Sequence, residues 1–251
     1  MDWQAGYDWL HLVLRWFHVM AAVSWIGSSL YFLYLGRLAA RSEPDSVEAY
    51  GLSEPTARWL KREAALAWLS GVLLLVLLYF GAGVADLLQG LAAVALLAAG
   101  WFVYDRLWRA RPAVAGPASV VLLILVVWGL SLAHGGRLLY VELGALLGTL
   151  MAGNVWYRIA PALAAQGGEA VWTLARERSA HNNYLVFPTV ALMVSNHVPG
   201  VSASALGPAV LVLLIVAFVA ARHGVAGRSA RRWAFGGVLA LLVAMIVMSG
   251  R

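Results

Sequence analysis

Histidines are the side chains of this 251-residue sequence best suited to holding a metal or moving a proton, and there are six of them. His181 and His197 bracket an apolar run, SAHNNYLVFPTVALMVSNHVPG (179–200), with Asn182 and Asn183 beside the first and Ser195 and Asn196 beside the second. A helix between the two imidazoles covers about 24 Å, most of the ~30 Å hydrocarbon core of a bilayer. One imidazole then lies near each membrane face. His18, on the first apolar run, falls just inside the outer leaflet, His134 arrives at the outer end of the fourth run, and His11 shares a helix face with His18. Ordered by depth, the polar residues form two groups. The outer one is His18, His134, His197 and His11 with Arg15, Arg137 and Glu142; the inner one is Lys61, Glu63, Asn154, Arg158, His181, Asn182, Asn183 and Tyr184.

Imidazoles facing each other across a helix bundle hold b-type haem, with basic residues meeting the propionates. On that reading His18 and His197 are the first-choice axial pair, His134 is the alternate, and Arg15 and Arg137 hold propionates. A patch of small residues on the first run, Ser24, Gly27, Ser28 and Ser29, lets a flat ligand approach closely. Copper or zinc competes, because imidazole suits those ions too, as do a proton relay and plain polar caps at helix ends. The inner group suits a substrate: Lys61 to bind an anion, Glu63 or His181 to move protons, and Asn154, Asn182 and Tyr184 to orient a planar ring. Glu142 sits about a turn inside the membrane, where a carboxylate is costly unless protonated or paired; Arg137 and the outer histidines are its candidate partners. The two groups stand roughly 20 Å apart on helix geometry. Electron transfer between them requires a second cofactor or a substrate bound nearer the haem.

What must position these residues is a membrane bundle. The sequence is 62% hydrophobic and 12% charged, with a mean hydropathy of +0.79, against the ~45–50% apolar content of a soluble domain. The twelve tryptophans suit membrane interfaces. The apolar runs are continuous rather than alternating, which selects helices over a barrel. The expectation is one domain, 1–251, all-α: a polytopic helical bundle embedded in the lipid bilayer. No cysteine is present, which excludes disulfides, thiolate ligands and haem attached through C-x-x-C-H. The net charge of +6 is spread over short loops without aromatic interleaving, so nucleic acid is not an expected partner. The N-terminus lacks the features of a cleaved signal peptide, so the first run is expected to remain a membrane helix.

Eight apolar segments can be drawn: Trp9–Leu35, Ala64–Phe80, Ala85–Tyr104, Ala118–Ala133, Leu138–Ala160, Asn183–Val198, Ala205–Ala221 and Trp233–Ser249. The second, fourth and sixth are short for spanning. Arg37, Arg41, Arg58, Lys61 and Arg62 follow the first segment. Later alternate loops carry Arg106, Arg109 and Arg111, then Arg158, Arg176 and Arg178, then Arg222, Arg228, Arg231 and Arg232. That one-sided distribution is the positive-inside pattern, and it predicts eight transmembrane helices with both termini outside. Ser53, Glu54 and Pro55 mark a helix start ahead of the second segment, and 161–178 reads as a short surface helix.

Four stretches resemble the membrane domain of the bacterial membrane-bound urate hydroxylase family: RWFHVMAAVSWIGSSLYF (15–32), WLKREAALAWLSG (59–71), GALLGTLMAGNVWYRIAP (144–161) and HNNYLVFPTVALMVSNH (181–197). The pattern His-x6-Trp-Ile-Gly at 18–27 is also similar to other small haem-associated membrane families. The resemblance implies an eight-helix domain in the bacterial inner membrane that oxidises urate and sends electrons to cytochrome c outside. With no C-x-x-C-H in this sequence, that cytochrome would be a separate protein. Two departures stand out: Leu38–Arg58 is shorter than the family's Gly- and His-containing stretch, and Glu142 stands where the family has histidine. The combined expectation is a haem b oxidoreductase. Its rivals are a non-enzymatic haem subunit for electron transfer or sensing and, with no convincing repeat between the two halves, a transporter.

Overall fold

The computed structural model describes residues 3–42, 54–81, 87–164, 169–195, 206–226 and 230–249. Among these residues the protein is all helical, with eight helices and no strand. They are α1 (Trp3–Ser42), α2 (Glu54–Val76, ending in a π turn Leu77–Gly81), α3 (Leu87–Ala110) and α4 (Pro112–Ala133), followed by α5 (Gly136–Asn154). α5 continues through a π segment, Val155–Ile159, and a last α turn, Ala160–Ala164. α6 (Glu169–Ser195), α7 (Gly207–Ala226) and α8 (Ala230–Ser249) complete the chain. Five spans, Gln4–Phe32, Glu54–Phe80, Leu88–Ala110, Pro112–Ala133 and Gly136–Ala164, are long and apolar enough to cross a membrane. That marks the chain as a membrane protein.

Local chemistry explains the boundaries. α2 starts at Glu54, where the sequence signal placed it, with a carboxylate in the positive first turn and an Arg58–Glu54 ion pair one turn on. α4 opens on Pro112, whose missing N–H is no loss in a first turn. It stops at His134, whose extended backbone and the positive φ of 58° at Gly136 make the tight corner into α5. α6 begins well before the expected segment at Asn183, so 169–178 is the first half of a long helix rather than a separate surface helix. Its Pro188 is accommodated inside the helix. α2 and α4 are likewise longer than their apolar cores, which removes the shortness noted in those segments.

The chain divides into two compact units. The first comprises Met1–Ala95 and Thr149–Asn183, the second Leu96–Gly148 and Tyr184–Arg251. In the first, α1 packs along α2, and the π segment and last turn of α5 pack against α2 as well. In the second, α7 packs on α8 and α4. α1 leaves Trp9, Leu12, Val13, Trp16, Phe17 and Met20 exposed, a surface suited to lipid rather than water.

Candidate functional site

Within the first unit, the polar contacts of α1 and α2 set a register. Tyr7 donates to the Leu77 carbonyl at 3.2 Å, His18 meets Ala67 and Ser70, and Ser24 and Ser28 meet Glu63. As numbers rise on α1 they fall on α2, so the two helices run antiparallel. Three polar layers are laid along their seam.

The His18 layer fixes an imidazole. Its Nδ1 lies 3.0 Å from the Ala67 carbonyl and 3.0 Å from Ser70 Oγ. A carbonyl only accepts, so Nδ1 carries the hydrogen and Nε2 the lone pair. The Ser70 hydroxyl donates to the Leu66 carbonyl at 2.6 Å, leaving its oxygen to share the His18 N–H. Gly71 completes the cradle: a Cβ there would stand 3.0 Å from His18 Cε1. An imidazole tied at Nδ1 to a carbonyl, with Nε2 outward, is how proteins prepare a metal ligand.

The Glu63 layer holds a carboxylate. Glu63 is 5% exposed. Its Oε1 accepts from the hydroxyls of Ser24 and of Ser28, the latter at 3.1 Å, while its buried Oε2 has no hydrogen-bond partner. Two residues earlier, Lys61 turns elsewhere: its Nζ stands 4.9 Å from the ring centroid of Trp156 in the π segment, a cation–π contact. A π segment adds a residue to the helix and is frequent at functional sites.

A third cluster joins the end of α5 to α6. Asn154 donates to the Asn182 side-chain oxygen at 2.9 Å, and Asn182 donates to the Met151 carbonyl at 3.0 Å. Asn154, Asn182, Asn183 and Arg178 are all buried. His181 precedes the apolar stretch of α6, and burial, with the Arg178 guanidinium adding repulsion, lowers its imidazole to about 4. It is therefore neutral near pH 7 and a weak base there. On the side of α2 facing Thr149, Trp68 donates to that hydroxyl at 3.0 Å.

The remaining candidates lie elsewhere. Arg15 stands one turn from His11 and its guanidinium lies 3.2 Å from His11 Nδ1. In the second unit, Glu142 is buried and pairs with His134, Nδ1 to Oε2 at 3.1 Å. Of its two expected kinds of partner it has taken the imidazole, and Arg137 is exposed. Tyr184 is half-buried in that unit, where Tyr140 donates to the Gly207 carbonyl at 3.4 Å. His197 lies outside the described residues.

Among the described residues no three His, Asp or Glu side chains converge as a metal-ion site. The donor set at His18, an imidazole tied at Nδ1, could offer a metal one nitrogen only, which suits a cofactor that brings its own metal. Ser70, Gly71 and Trp156 join the site only in three dimensions. All three were visible in the sequence merely as parts of family-like stretches, Ser70 and Gly71 at the end of 59–71 and Trp156 within 144–161.

A family model described as urate oxidase N-terminal matches residues 4–53 and 51–249. No curated protein matches and no solved structure matches.

Proposed function

The chain belongs to the urate oxidase N-terminal family, and from that premise we propose that it is a membrane oxidoreductase that oxidises urate or a closely similar planar purine. It would hand the electrons to a c-type cytochrome at the outer face, with haem b as the group that carries them. The setting is a bacterial inner membrane, crossed eight times with both termini outside, an arrangement supported by the one-sided distribution of basic residues.

The observation that carries this reading is His18. Its Nδ1–H is committed to the Ala67 carbonyl, and its Nε2 is left with the lone pair that iron requires. His18 would hold the haem iron, with His197 the first-choice second ligand and His134 the alternate, and Arg15 and Arg137 would meet its propionates. The cofactor supplies one-electron acceptance and release.

The chain's own residues supply the rest. Lys61 offers a positive charge for an anionic purine, held over Trp156 until the substrate arrives. Asn154 and Asn182 fix the end of α5 against α6 and are, with Tyr184, the groups assigned to orient the purine ring. Glu63, with its enclosed Oε2, and His181 are the proton-handling groups. Lys61 and Trp156 restrict the substrate to a flat anion by charge and by ring contact.

The experiment is a reduced-minus-oxidised visible spectrum of the purified chain, repeated on His18→Ala, together with urate-dependent reduction of a c-type cytochrome. The reading expects haem b bands that His18→Ala removes, and cytochrome reduction that depends on urate. Haem bands without urate-dependent reduction would leave a non-enzymatic electron carrier. A colourless preparation grown with ample haem would end the reading.

A further inference from the structure

The α1–α2 seam holds two chemically different stations at measured register. The His18 ring rests on Ala67 and Ser70, and Glu63 lies seven residues before Ser70 on α2, about 10 Å along the axis at 1.5 Å per residue. Between those layers the seam is lined by apolar and small residues of α1 and α2, among them Ala64 and Ala67, both buried. Little water is available there to screen a charge, so a charge added at one station is felt at the other.

Glu63 has the construction of a group meant to change its proton content. Ser24 and Ser28, one turn apart on α1, both donate to Oε1 and thereby hold the carboxyl in one rotamer. Oε2 is enclosed and unpartnered, and Glu63 makes no ion pair among the described residues. The charged and titratable groups around it are few. α1 contributes His18 and Tyr31 between Phe17 and Phe32. α2 contributes Lys61, turned to Trp156, and Arg62, which is exposed. The π segment of α5, which packs on α2, contributes Tyr157 and Arg158. A buried acceptor with no fixed counter-ion is neutralised most simply by a proton.

We propose that Glu63 Oε2 is the proton-loading site of this membrane domain: it takes up one proton when one electron arrives at the group held by His18, and releases it when that electron leaves. The balance is complete in each direction. The electron comes from the purine and departs to the c-type acceptor; the proton comes from water at the membrane face, adds to a lone pair of Oε2 and returns to water when the electron leaves, with no bond to carbon made or broken. Ser24 and Ser28 are positioning residues, which set how readily Oε2 accepts by holding Oε1. The inference rests on the haem reading above.

The test is a reductive titration of the purified full chain across pH, on the unaltered protein, Glu63→Gln, and the Ser24→Ala/Ser28→Ala pair. In the unaltered protein the midpoint potential falls as pH rises. Glu63→Gln flattens that slope. The paired serine substitution keeps the slope but moves the pH range in which it occurs, a change that a merely structural role would not produce. Glu63→Asp, which keeps a carboxyl, retains the slope and serves as the second variant if Glu63→Gln fails to accumulate. A haem-containing Glu63→Gln protein with an unaltered slope overturns this inference and leaves the haem reading standing. A preparation that binds no haem at all sinks both.

Discussion

A methyl group added to Gly71 would stand 3.0 Å from Cε1 of His18, so the ring would have to give way by a few tenths of an ångström. The glycine on α2 and the imidazole on α1 are one device: the first supplies the space, the second fills it, and the Ala67 carbonyl fixes which nitrogen faces outward.

Gly71→Ala therefore displaces the ring without touching its chemistry. Haem affinity is expected to fall by about 10–100-fold, the usual effect of disturbing a ligand's support. Haem absorbance per mole of purified protein measures it. Full occupancy in Gly71→Ala would detach the cradle from ligation.

Asn182→Ala removes an acceptor from Asn154 and a donor from the Met151 carbonyl, both in a buried setting. The expected loss is about 1–3 kcal/mol for each buried group left without its partner, seen as a lower unfolding temperature in detergent. An unchanged melting curve would show that these amides are held by other means.

His181 gives a pH dependence of known sign. Its imidazole is lowered from the ordinary 6.5 to about 4 by burial and by Arg178, so the unfolded chain binds the proton more readily than the folded one. Its contribution to stability is complete above the unfolded value of 6.5 and is lost as pH falls toward 4. Melting curves between pH 7 and pH 4 should fall more steeply for the unaltered protein than for His181→Gln. Parallel curves would refute the assignment.

Trp156→Leu keeps an apolar surface but removes the ring beneath Lys61. The expected cost is about 0.5–1 kcal/mol of stability, the range for partly exposed cation–π pairs. If Lys61 binds the substrate anion, the same change raises KM for urate more than it lowers kcat. Steady-state kinetics with a cytochrome acceptor separates the two.

Much of this was legible in residue types alone. His18 announced itself by the tryptophan and glycine that follow it, α2 by the turn ahead of Glu54, and membrane character by the unbroken apolar runs. The start of α6 was hidden because 169–178 is polar, and hydropathy reads a polar helix as a loop. Ser24 and Ser28 looked like space for a flat ligand; that they donate to Glu63 depends on the α1–α2 register, which no single helix encodes. The pairing of Glu142 with His134 over Arg137 was one of two foreseen outcomes, and only coordinates could choose between them.

The extra residue lodged in Val155–Ile159 constrains the gene as well as the fold. Each residue of a regular helix turns the chain by about 100°. Excising one position from that stretch would let the wide turn close to a regular one, leaving Ala160–Ala164 on the flank of α2 that it now covers. Single-codon deletions at 155–159 should therefore be more forgiving than deletions elsewhere in α5, where the loss of one residue turns the rest of the helix by about 100°.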